Sequence, residues 1–120
     1  MPERRSNVRM LCADLVEVRW HDERGRSQNA TVLLEDIAPS GACLQFEAAV
    51  PIGLDVRIRC GSKYLDGIVR YCVYQEIGYF VGVEFAPDSQ WSREEFEPQH
   101  LLDMREMLES DGARDPSGRS

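Results

Sequence analysis

With 120 residues, 42% of them hydrophobic, the chain fits one domain that can bury a core without metal or disulfide staples. A net charge of −7 makes it a poor partner for the polyanionic backbone of DNA or RNA, so nucleic acid is not expected as a ligand. Cys12, Cys43, Cys60 and Cys72 include no C-x-x-C pair, which argues against a zinc ribbon or thioredoxin-type motif and leaves each as a small hydrophobe in a strand-like run.

Residues 1–10 read as a flexible arm in which Arg4, Arg5 and Arg9 stand against Glu3. Taken alone, such an arginine pair near a terminus is a solvated basic arm. Strand-like runs follow at Leu11 to Trp20, Ala30 to Ile37, Ala42 to Phe46, Leu54 to Cys60, Tyr64 to Tyr74 and Tyr79 to Phe85. The clearest is Leu54 to Cys60, where apolar and charged residues alternate with period two, one face buried and one wet. Leu15-Val16 and Val32-Leu33-Leu34 break strict alternation. Turn chemistry separates the runs at Asp22 to Gly25, Pro39 to Gly41, Pro51 to Gly53, Gly61-Ser62 and Gln75 to Gly78. Strands at this spacing predict a small antiparallel barrel or sandwich, with Trp20, Trp91 and the tyrosines as core and barrel-end packing.

Residues 87–110 change character. Ser92 and Glu95 have capping-box spacing, Pro98 suits a first helical turn, and Leu101, Met104 and Leu108 recur at helical intervals. They predict an amphipathic helix over 98–109, its apolar stripe packed on the barrel or offered to a partner. Between 93 and 111 seven acids face Arg93 and Arg105 alone. Residues 111–120, rich in glycine, serine, proline and charge, read as a disordered tail. No stretch is long enough to span a membrane and the polar start lacks the apolar core of a signal peptide, so a cytoplasmic protein without membrane insertion is expected.

Two motifs stand out. Arg5 and Arg9 form Arg-x-x-x-Arg, and Asp36-Ile37-Ala38-Pro39-Ser40-Gly41 lies between two apolar runs in the pattern Asp-x-Ser-x-x-Gly, with Ala38 in place of the serine. Gly82-Val83-Glu84-Phe85 resembles a closing strand. Over residues 4–86 the chain resembles the PilZ domain, the bacterial receptor module for cyclic di-GMP. That resemblance selects a six-stranded antiparallel barrel over residues 11–86, to which the helical pattern read above adds a C-terminal helix. It also implies roles. Arg5 and Arg9, on the loop leading into the first strand, meet the guanines and phosphates, and Arg4 adds charge or stacks on a second ligand molecule. Asp36 recognises guanine and Gly41 keeps the turn tight, while Ala38 offers no hydroxyl and Ser40, two residues on, either substitutes for it or bonds its own backbone. The chemistry fits, because arginine presents a planar fork that grips phosphate bidentately or lies flat on an aromatic ring. The Asp36–Gly41 run is equally good turn chemistry, and both readings hold together.

The expectation is a non-catalytic cyclic di-GMP receptor that relays to a protein partner. The alternative is a degenerate PilZ domain without nucleotide binding that acts as a protein-interaction adaptor. His21 and His100 lie far apart with no nucleophile elbow, paired metal ligands or glycine-rich phosphate loop, so neither an enzyme, a metal nor a further cofactor is expected.

Overall fold

The computed structural model describes residues 8–103. Its strands are β1 (Met10–His21), β2 (Ser27–Ala38), β3 (Gly41–Phe46), β4 (Asp55–Cys60), β5 (Lys63–Gln75) and β6 (Gly78–Phe85), with a two-residue β7 (Leu102–Asp103) added beside the start of β1. Each of the first six contains or closely matches one of the apolar runs read from the sequence. They pair antiparallel in the order β2-β3-β6-β5-β4-β1, and β1 also pairs with β2, so the sheet closes as a six-stranded barrel. Closure leaves these strands with partners on both sides and removes the edge-strand problem.

Alternation decides which residues point inward. Along β4, Val56, Ile58 and Cys60 are buried while Asp55, Arg57 and Arg59 face water. Leu34, Ile37, Leu44, Ile58, Leu65, Val69 and Val81 fill the middle of the barrel and are almost inaccessible. Trp91 closes one side, its indole Nε1 donating to the Phe96 carbonyl at 2.8 Å, and Trp20 meets Phe46 edge-on at 6.2 Å. Cys12, Cys43 and Cys60 are buried free thiols, and burial pushes the first and third up to about 12. Tyr79 packs against the core as expected, whereas Tyr64, Tyr71 and Tyr74 lie on the outside, where an amphipathic ring covers neighbouring side chains.

Among the described residues there is no helix, and the helix expected from residue 98 does not form over 98–103. Gln99 and His100 make a turn there, with His100 in the left-handed region at φ 58°, and Leu102–Asp103 is strand. The cause is a competing set of partners. Ala13 lies where the β1–β2 register slips, and its N–H donates to the Gln99 carbonyl at 3.0 Å, while the Gln99 N–H donates to Asp14 at 3.3 Å. Bonds made across to β1 therefore replace those a first helical turn needs. Residues 104–109 of the expected helix, and the tail, lie outside the described residues. No helix of the described residues is long and apolar enough to cross a membrane.

Leu34 is wholly enclosed whereas Leu15 is 66% exposed. Leu34→Ala is expected to cost about 2–5 kcal/mol in urea unfolding, because it leaves a cavity in the barrel. Leu15→Ala is expected to stay within roughly 0.5 kcal/mol of the parent.

Candidate functional site

Asp36 and Tyr71 reach the outer surface by the same device. Inward positions on β2 run Val32, Leu34, so a regular strand would turn residue 36 inward. Between Leu34 and Asp36 the pairing with β3 slips by one residue, Glu35 is taken up as a bulge, and Asp36 faces out while Ile37 enters the core. On β5 the pairing with β6 slips between Val69 and Tyr71, so Arg70 is the extra residue and Tyr71 turns outward. A third slip, on β1 between Leu11 and Asp14, sits at the same level. The result is one outer row across five strands: Leu11 opposite Asp36, Asp36 opposite Cys43, Cys43 opposite Gly82, and Gly82 opposite Tyr71.

Arg9 lies over this row. Its Nη2 donates to Asp36 Oδ1 at 2.9 Å, across 27 residues of sequence. Partial burial lowers the Arg9 pKa, but the charge and hydrogen bond of Asp36 outweigh it, with Tyr71 adding, so the net direction is upward and the guanidinium stays charged. Just before it, Val8 packs against the core, which fixes where Arg9 enters. Tyr71 lies against Gly82 so closely that a Cβ there would strike its ring. Beneath it, Cys43 is only 5% exposed, and burial raises its pKa despite the opposing pull of the Tyr71 hydroxyl. Burial, with the contact to Cys43, raises Tyr71 in turn.

The turn between β2 and β3 completes the surface. The Ser40 carbonyl accepts from Phe85 N at 2.8 Å and the Pro39 carbonyl from Trp91 N at 2.9 Å, so backbone bonds hold the turn. Gly41 is required by close approach, since a Cβ on it would lie 2.6 Å from the Val83 carbonyl oxygen. Ala38 is buried, yet it lines a cavity of about 330 Å³ together with Arg9, Ser40, Arg70, Tyr71 and Glu84. On the far side of Arg70 and Glu84 a larger groove of about 850 Å³ runs toward Trp20, Arg57 and Ile68.

Arg9, Asp36, Ala38, Ser40 and Gly41 are thus neighbours on one outer face, whereas Arg4 and Arg5 lie outside the described residues. Sequence reasoning missed Arg70, Tyr71, Gly82 and Glu84. A signal for part of this exists: Leu34-Glu35-Asp36-Ile37 and Val69-Arg70-Tyr71-Cys72 both set two outward residues in succession between inward ones, the mark of a bulge. Both histidines are exposed, and among the described residues no three His, Cys, Asp or Glu side chains cluster so as to hold a metal ion. Comparison with family models, with curated proteins and with solved structures finds no match to this chain.

If Tyr71 shields Cys43, Tyr71→Ala is expected to speed alkylation of Cys43 at pH 8 at least several-fold while Cys12 and Cys60 stay slow. Peptide mapping by mass spectrometry reads each thiol separately; equal rates for Cys43 in the two proteins would contradict the shielding.

Proposed function

We propose that this chain is a PilZ-type receptor for cyclic di-GMP, non-catalytic, which passes ligand occupancy to a protein partner. The observation that carries this reading is the meeting of Arg9 and Asp36 on the outer barrel face, beside a cavity and the Asp36–Gly41 turn. A guanidinium supplies donors to a phosphate or to the acceptor edge of guanine, and a carboxylate accepts from the guanine N–H groups. The Arg9–Asp36 pair is half exposed at the arginine, 51% against 16% at the aspartate, and exposed pairs contribute about 0–1 kcal/mol. A charge-assisted hydrogen bond to phosphate contributes about 1.5–3 kcal/mol, so the ligand wins Arg9 at small cost. In this reading Arg5, four residues earlier, joins Arg9 as the second arginine of the clamp, Arg4 adds charge, and the protein acts in the cytoplasm.

Ala38 supplies no hydroxyl to the cavity it lines. One neutral hydrogen bond fewer weakens binding by about two- to tenfold without abolishing it. Ala38 also motivates the second reading, an adaptor that no longer binds nucleotide. Exposed Val73, Tyr74 and Ile77 on the β5–β6 hairpin support that reading, because such a patch suits a protein partner.

Calorimetric titration with cyclic di-GMP separates the two. Arg9→Ala and Asp36→Ala are each expected to weaken binding at least tenfold with unchanged thermal melting, and Ala38→Ser to tighten it two- to tenfold. Absence of binding at sub-millimolar ligand in both the parent chain and Ala38→Ser, with the fold intact, leaves the adaptor reading.

A further inference from the structure

The bulge in β5 brings two residues to the site that no motif contains. Arg70 Nε donates to Glu84 Oε1 at 2.6 Å, and both side chains are 57% exposed. The two terminal nitrogens of that guanidinium make no hydrogen bond to the described residues, and Arg70 lines the cavity. Tyr71, one residue on, is 41% exposed, with its ring braced by Gly82 and its hydroxyl beside Arg9 and Cys43. A braced, half-exposed ring next to cations presents a π-face at little cost in side-chain entropy.

We propose that Arg70 and Tyr71 form the second wall of the ligand site, Tyr71 as the surface on which a guanine base stacks and Arg70 as a phosphate ligand that Glu84 holds in reserve. This rests on the cyclic di-GMP reading of the same face. Arg9 and Arg70 both line the cavity, so a ligand with two phosphates meets two guanidinium groups there. Glu84 lines the same cavity and carries the charge that opposes such a ligand. Its carboxylate sets a threshold: bound to Arg70 in the free protein, it neutralises the fork until a phosphate displaces it, and the exposed ion pair is weak enough to exchange. Arg70 compensates for the hydroxyl missing at Ala38 by supplying a charged contact in place of a neutral one.

The prediction that a purely structural role would not make concerns Glu84. Glu84→Gln removes a negative charge from the site and releases Arg70, so cyclic di-GMP is expected to bind about two- to fivefold tighter in calorimetry at low salt. Asp66→Asn, which removes a charge from the neighbouring groove where Asp66 pairs with Arg57, is expected to leave affinity unchanged. Arg70→Ala and Tyr71→Leu are expected to weaken binding about tenfold or more, whereas Tyr71→Phe keeps the ring and most of the affinity. Thermal melts establish the fold of each variant. A parent chain that binds while Arg70→Ala and Glu84→Gln match its affinity overturns this wall and leaves the receptor reading standing. Failure of both the parent and Ala38→Ser to bind overturns the receptor reading, and this wall with it.

Discussion

Three residue pairs turn the sheet into a barrel. Glu17 with Arg59, Val18 with Ile58 and Arg19 with Arg57 join β1 to β4, and without that seam the same strands are an open sheet with two edges. Val18 and Ile58 are nearly inaccessible, so the seam is also part of the core. Closure curves the sheet around one apolar interior, and the strands that carry Asp36 and Tyr71 are held at a fixed separation because they belong to the same ring. The site inherits its geometry from this constraint.

Three register slips at one level of the barrel exchange regular pairing for aim. On β2 and β5 the slip adds a residue and reverses the inside-outside assignment beyond it, which moves Asp36 and Tyr71 from positions that alternation would bury, whereas on β1 Met10, Cys12, Val16 and Val18 keep one parity across the slip. The glycines answer the same need. Gly82 leaves room for the Tyr71 ring and Gly41 allows β3 to approach the Val83 carbonyl, so two side chains are absent where the site requires closeness. The backbone that one slip leaves unpaired, at Ala13, is satisfied by Gln99, which draws the segment after β6 back to β1 and ends any helical start at Pro98.

Charge is arranged for exchange rather than for strength. The ion pairs of the described residues lie at the surface, where each contributes little to folding, and burial of apolar side chains holds the barrel together. Arg9, whose partner is Asp36, lines one cavity together with the Arg70–Glu84 pair. A negatively charged chain can in this way present local cations to an anion, since exposed pairs open at small cost while the surrounding acids discourage long polyanions.

From the sequence alone, alternation and turn residues determined the strands, because burial on one face of a strand writes a period of two into the chain and glycine, proline and asparagine or aspartate mark where it must reverse. Strand spacing alone left barrel and sandwich open, and the resemblance chose the barrel that the β1–β4 pairing then formed. The Arg9 and Asp36 candidates were legible as motifs, whereas their contact was not, since 27 residues separate them and only closure and the bulge at Glu35 aim one at the other. Arg70 and Tyr71 belong to no motif, Gly82 and Glu84 were read only as part of a closing strand, and all four became neighbours of Arg9 through cross-strand pairing. The helix pattern after Pro98 failed over 98–103 for the complementary reason: local spacing records what a segment prefers by itself, and the backbone groups of β1 that Gln99 satisfies exist only once the barrel has formed.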